Sequence, residues 1–132
     1  MKRTALLHAE LSRVIASLGH GDMLVLGDAG LPIPEGPLRI DLAVTPGVPT
    51  LADVLRAVLT EMQVERVLLA RETLAREDGG ALPAWCAGQL SVTPELVAHE
   101  ELKRLCAQAR AVVRTGECTP YANIVLVAGV TF

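Results

Sequence analysis

Short apolar runs alternate with segments of helical periodicity along this chain, and that alternation constrains its fold more than any other feature. Between the runs, apolar residues three and four positions apart predict helices over 9–18, after Thr50, and over 99–110. The segments with the length and residue types of strands are 23–27, 39–44, 64–70, 111–114 and 124–130, although 39–44 and 64–70 each contain two charged residues. The alternation predicts a layered α/β domain with a mixed, mostly parallel sheet flanked by helices.

Local signals predict where some of these elements begin and end. Gly19 stands where a left-handed C-cap would end the first helix. Thr50 and Asp53 have the spacing of a capping pair, which predicts a helix that begins after Thr50. The segment 71–90 has broken periodicity and carries several Gly and Pro residues, so it predicts a short helix and loops.

Length and hydropathy limit the organisation of the chain. With 132 residues it fits one domain, 1–132. An apolar fraction of 51% and a mean hydropathy of +0.40 are high for an isolated domain, which favours a homo-oligomer. The longest apolar runs fall far below the ~18 residues of a membrane span. Because Glu10 and Arg13 also interrupt any secretory apolar stretch, we expect no membrane insertion and a cytoplasmic location.

Net charge and aromatic content bear on nucleic-acid binding, and the number and spacing of the cysteines bear on disulfides and zinc. The net charge is −3, the basic residues are scattered, and the chain has one Trp, one Tyr and one Phe, so nucleic acid is not an expected partner. Cys86, Cys106 and Cys118 are odd in number and widely separated, which predicts reduced thiols rather than disulfides or a zinc site.

Most polar chemistry lies in the short runs 19–22, 28–34 and 116–123, next to predicted strand ends, where ligand clefts are common. His20, between two glycines, suits a proton shuttle near neutral pH or a helix cap. Asp28 suits either hydrogen bonds to a ligand or a structural ion pair or turn, and His99 either polarises a ligand oxygen or ends a helix. Tyr121 and Asn123 suit a polyol or local turn bonding.

A metal centre built from His20, Asp28 and His99 is a further alternative. None of these residues has the close spacing that is typical of metal ligands, so no metal is expected.

At these polar runs the chain resembles the D-ribose pyranase family, part of a wider group that includes L-fucose mutarotases. The resemblance covers nearly the whole chain except about 71–98, where the sequence departs from the usual pattern. The matching segments include Leu18-Gly19-His20-Gly21-Asp22, Asp28-Ala29-Gly30-Leu31-Pro32-Ile33-Pro34, Arg114-Thr115-Gly116-Glu117-Cys118-Thr119-Pro120-Tyr121-Ala122-Asn123-Ile124 and Gly129-Val130-Thr131-Phe132.

The resemblance implies an isomerase that interconverts pyranose and furanose forms of D-ribose without a cofactor, in support of ribose uptake and catabolism. It also implies a ring-shaped homo-oligomer, a decamer. By motif matching the catalytic residue is His20, and the substrate-binding residues are Asp28, His99, Tyr121, Ala122 and Asn123. Because the turn at 121–123 can reach a neighbouring subunit, we also expect a site shared between subunits.

Two alternatives to a ribose isomerase stay open. One is a mutarotase of another aldose such as fucose, and the other is a non-catalytic ribose-binding partner of a transporter. The run at 28–34 resembles the ribose enzymes more than the fucose enzymes, which favours D-ribose.

Overall fold

A computed structural model describes all residues, 1–132, and contains one six-stranded sheet with four α-helices. The strands are β1 (Met23–Gly27), β2 (Leu38–Asp41), β3 (Val64–Ala70), β4 (Glu95–Val97), β5 (Ala111–Arg114) and β6 (Ile124–Ala128). The helices are α1 (Ala9–Ser17), α2 (Leu51–Leu59), α3 (Arg71–Ala75) and α4 (His99–Cys106), with a 3₁₀ turn at Asp78–Gly80.

The sheet has the strand order β2-β5-β1-β6-β3-β4. Three neighbouring pairs are parallel, namely β2 with β5, β5 with β1, and β3 with β4. Strand β6 runs antiparallel to both of its neighbours, β1 and β3. The predicted mixed, mostly parallel α/β architecture is confirmed.

Both faces of the sheet are covered. Leu24 and Leu26 of β1 belong to the larger hydrophobic core, which also contains buried residues of α1 and α2. Val25, between them, points to the opposite face and joins the smaller core around Leu102 and Cys106 of α4. Because successive side chains of a strand point to opposite faces, a short all-apolar strand requires cover on both sides, as the sequence predicts.

The predicted N-cap of α2 is confirmed, whereas the predicted C-cap of α1 at Gly19 is wrong. The hydroxyl of Thr50 accepts a hydrogen bond from the Asp53 backbone N–H at 3.1 Å. Helix α1 ends at Ser17 with Leu18 as an extended C-cap, and the residue with positive φ (81°) is Gly21, not Gly19. The Gly19 N–H donates instead to the Asp22 carboxylate at 2.8 Å, so this segment forms a turn that starts β1.

The ends of three other elements, and one whole strand, differ from the prediction. Strand β2 ends at Asp41 because the chain turns away toward an isolated bridge between Thr45 and Val48. Strand β4 was not predicted, since it has three residues, two of them exposed, and no apolar run. Helix α4 and strand β6 also end earlier than expected, at Cys106 and Ala128.

Three further predictions concern helices and cysteines. The short helix expected within 71–90 is confirmed as α3. No helix reaches the length and apolar character needed to cross a bilayer. All three cysteines are free, and burial raises the pKa of the Cys86 and Cys106 thiols to about 11.

Candidate active site

Asp28 lies directly after β1, where it meets the segment that leads into β6. Its backbone N–H donates to Oδ1 of Asn123 at 3.0 Å, and its own Oδ1 accepts from the Gly30 N–H at 2.9 Å. The antiparallel pairing of Leu26 with Ile124 causes this meeting, since it places the end of β1 beside the start of β6. Partial burial raises the pKa of the Asp28 carboxyl above its ordinary value.

Tyr121 and Asn123 lie in a tight turn that precedes β6. Tyr121 adopts a left-handed conformation (φ 62°), which is uncommon for a bulky residue. Its carbonyl accepts two hydrogen bonds, from the Asn123 N–H at 2.8 Å and from the buried Thr73 hydroxyl at 2.7 Å. These bonds hold the unfavourable backbone conformation, as surrounding structure commonly does at binding sites.

His99 is the first residue of α4 and packs against this turn. Its backbone N–H donates to the Glu72 carboxylate at 3.0 Å. Its ring meets that of Tyr121 edge to face, with centroids 5.0 Å apart and an interplanar angle of 82°. Nδ1 of His99 and Nδ2 of Asn123 are both buried without a hydrogen-bond partner within the chain. Since such groups are nearly always paired, these two nitrogens are candidates to bind a ligand.

Ala122 contributes to this turn through its backbone. Its methyl group lies in the larger core and the residue has no exposed surface. Any contact between Ala122 and a ligand would therefore involve its peptide groups.

His20 lies at the other end of the sheet. The N–H of the next residue, Gly21, donates to the carbonyl of Ala128, the last residue of β6, at 2.8 Å. Five residues of β1 separate this end from Asp28, about 16 Å at the usual rise of a strand. The His20 side chain is 62% exposed, and its Nε2 lies 2.8 Å from a carboxylate oxygen of Glu65.

The chain therefore brings together five of the six predicted site residues, with Ala122 contributing only its backbone, and leaves one apart. Asp28, His99, Tyr121 and Asn123 form a cluster, which we call the polar cluster, and His20 is not in it. No cavity of the chain is lined by a residue of the polar cluster, whereas a cavity of about 470 Å³ lies beside His20. Within one chain His20 is remote from Asp28 and His99, and no three His, Cys, Asp or Glu side chains lie together, so a single subunit does not assemble the alternative metal centre.

Sequence reasoning missed the supporting residues Thr73, Glu72 and Gly27. The first two fall in the segment of broken periodicity, where no pattern indicated a role for them. A Cβ at Gly27 would lie 2.9 Å from Oδ1 of Asn123 and closer still to the Leu31 side chain. The requirement for glycine at this position arises from contacts between distant parts of the chain.

Replacing Gly27 by alanine is expected to destabilise the protein by about 1–3 kcal/mol, the usual cost of overpacking a well-packed interior. Urea unfolding measures the change. Gly19→Ala is the matched control, since its Cβ would meet only Asp22 Oδ2 at 3.6 Å and should change stability by less than about 0.5 kcal/mol. Equal stabilities of the two variants would contradict the packing argument.

The raised pKa of Asp28 predicts a particular pH dependence of stability. At pH values between 3.8, the ordinary pKa of Asp28, and its raised pKa in the folded state, the folded protein binds the proton of Asp28 more tightly than the unfolded chain does. The free energy of unfolding therefore falls as the pH rises through this interval. Asp28→Asn cannot ionise and should gain stability relative to the wild type across that interval. Urea unfolding at a series of pH values from about 4 to 7 tests this. A difference that is constant or falls with pH would contradict it.

The fold and the site together define a small mixed α/β protein whose polar cluster offers carboxylate, amide, imidazole and phenol groups suited to a polyhydroxylated ligand. The sequence model of the RbsD / FucU transport protein family matches residues 1–131, and the chain belongs to this family.

Relatives and solved structures agree with this assignment. A protein of Variovorax paradoxus named D-ribose pyranase is 75% identical over 132 residues, and one of the same name from Paracidovorax citrulli is 74% identical, with all of both chains covered in each case. The structure of Bacillus subtilis RbsD complexed with D-ribose superposes with a TM-score of 0.90 at 44% identity over the full length of both chains. A Streptococcus pneumoniae fucose mutarotase shares the fold (TM-score 0.72, 22% identity, both chains fully covered).

Proposed function

We propose that this chain is an isomerase that interconverts the pyranose and furanose forms of D-ribose. The observation that carries the proposal is the full-length identity of 75% to a protein named D-ribose pyranase. The 44% identical RbsD structure with bound D-ribose supports the same substrate. In this proposal residues 1–132 act as one domain in the cytoplasm. The enzyme produces the ring form of ribose that ribose catabolism consumes.

The reaction consists of proton transfers around a ring opening. A proton leaves the anomeric hydroxyl, another reaches the ring oxygen, and the hemiacetal opens to the aldehyde. A different hydroxyl then closes on the aldehyde and gives the other ring size. We assign the transfers to His20, because an imidazole exchanges protons readily near neutral pH. The steps require no cofactor.

The polar cluster is assigned to sugar binding. The Asp28 carboxylate accepts hydrogen bonds from sugar hydroxyls, and the unpartnered Nδ2 of Asn123 donates one to a sugar oxygen. Nδ1 of His99 and the hydroxyl of Tyr121, whose rings meet edge to face, supply further hydrogen bonds, as do peptide groups of Ala122. Binding by several fixed groups orients the sugar for proton transfer.

A complete site in this proposal needs two subunits. His20 lies about 16 Å from the polar cluster along β1, so His20 of one subunit must approach the cluster of another. Exposed apolar side chains such as Val44, Val48 and Leu96 are suited to burial between subunits. The proposed assembly is a homo-oligomer, a decameric ring.

NMR magnetisation transfer on D-ribose tests the proposed activity. The purified protein should accelerate exchange between pyranose and furanose signals above the rate in buffer. L-Fucose and D-galactose serve as comparison sugars, and a larger acceleration for either would favour the mutarotase alternative. Saturable ribose binding without any acceleration would overturn the enzymatic proposal in favour of a binding protein.

A further inference from the structure

Strand β3 contains an irregularity where it pairs with β6. Val64 pairs with Ala128 and Arg66 with Val127, so Glu65 is an extra residue on β3. Glu65 and Arg66 are both exposed, although successive residues of a regular strand would alternate between the two faces. This is a β-bulge, and bulges redirect the side chains that they contain.

Gly129, just after β6, packs against the bulge. Its N–H donates to the Gln63 carbonyl at 2.9 Å. A Cβ at position 129 would lie 3.0 Å from Cβ of Glu65 and 3.5 Å from its backbone nitrogen. The absence of a side chain at Gly129 therefore leaves room for Cβ of Glu65, and the bulge and this glycine together set the position of Glu65.

The redirected Glu65 side chain contacts His20. Its Oε2 lies 2.8 Å from Nε2 of His20, and Glu65 makes no other side-chain hydrogen bond. The other acidic side chains on this side of the chain have different partners. Glu61 bonds to Lys2 and Thr4, and Asp22 bonds to the Gly19 N–H and to Arg110. Glu65 is thus the one carboxylate that contacts the imidazole.

We propose that Glu65 is a positioning residue that orients the His20 ring and keeps its proton on Nε2. This inference rests on the proposed function in one respect only, namely that His20 transfers protons in the reaction. An ionised carboxylate accepts hydrogen bonds and donates none, so the ring nitrogen that faces it carries a hydrogen. In the neutral ring Nδ1 then has the free lone pair, and Nδ1 is the atom that takes a proton from the sugar and returns it.

The contact with the carboxylate persists once Nδ1 has accepted a proton. Nε2–H still donates to Glu65 at 2.8 Å, so the same hydrogen bond holds the ring in place before and after the transfer. Glu65 does not touch the sugar in this scheme, so its loss should lower kcat and leave KM nearly unchanged.

The test compares Glu65→Gln and Glu65→Ala with the wild type by two measurements. Ribose exchange should slow by about tenfold to hundredfold in kcat for Glu65→Ala, a factor typical of a lost hydrogen bond to a charged group, and less for Glu65→Gln, whose amide oxygen still accepts from Nε2–H. Nitrogen-15 NMR of the His20 ring, assigned by its absence in His20→Ala, should show the Nε2–H form in the wild type and a mixture of tautomers in Glu65→Ala.

Glu95→Gln is the matched control, because Glu95 is also an exposed glutamate of this sheet but pairs with Arg66 and not with His20. It should leave kcat and the His20 signals unchanged. An Nδ1–H ring in the wild type, or a Glu65→Ala variant with wild-type kcat and wild-type ring signals, would overturn the proposal. If the wild type fails to accelerate ribose exchange, the proposed function fails, and the ring signals of wild type and Glu65→Ala still decide whether Glu65 positions His20.

Discussion

Replacing His20 by alanine is expected to slow pyranose–furanose exchange of D-ribose by about 10²–10⁴-fold, the range that positioned acid or base catalysis contributes. The fold should persist, because the side chain is 62% exposed and its one hydrogen bond is to the exposed Glu65. Magnetisation transfer between the ribose signals measures the rate, and urea unfolding measures stability.

His8→Ala is the matched control for this substitution. His8 is the N-cap of α1, where its Nδ1 accepts from the Leu11 N–H at 3.1 Å. Its loss should cost about 1 kcal/mol of stability, as for other N-caps, and leave the exchange rate unchanged. Turnover by His20→Ala at the wild-type rate would remove His20 from the mechanism.

Mixing two inactive variants is expected to restore activity if the site is shared between subunits. His20→Ala retains an intact polar cluster, and Asp28→Ala retains an intact His20. In randomly mixed oligomers about a quarter of the interfaces would combine an intact His20 with an intact cluster, so activity should rise from background to about a quarter of the wild-type value. The variants are refolded together from urea in equal amounts, and ribose exchange is measured.

The control mixture combines Asp28→Ala with Asn123→Ala. Asp28 and Asn123 both belong to the polar cluster, where the Asp28 backbone donates to Asn123. Every subunit in this mixture therefore has an intact His20 and a defective polar cluster, so no interface has a complete site. This mixture should stay at background. Recovery in both mixtures, or in neither, would be incompatible with a site composed of His20 from one subunit and the polar cluster from another.

Much of the fold follows from local patterns in the sequence. The predicted strands 23–27, 64–70 and 111–114 match β1, β3 and β5 residue for residue, because strands that are buried on both faces are mostly apolar along their length. The Thr50 cap was predictable for a similar reason, since its hydrogen bond joins residues three apart. Prediction failed at the short edge strand β4, whose pairing with β3 joins residues far apart in the chain, and at Gly19, whose N–H donates to Asp22 instead of capping α1.

The sequence alone also indicated the residues of the candidate site, through polar runs at strand ends and the family resemblance that they carry. It determined which side chains are available and that Asp28 and Asn123 flank buried strands. Only the tertiary structure decided that the antiparallel pairing of β1 with β6 joins those two residues and leaves His20 at the far end. The contact of Glu65 with His20 likewise depends on a bulge between β3 and β6. The physical reason is that periodicity records which face of a strand is buried, whereas direction and register of pairing depend on residues far apart in the chain.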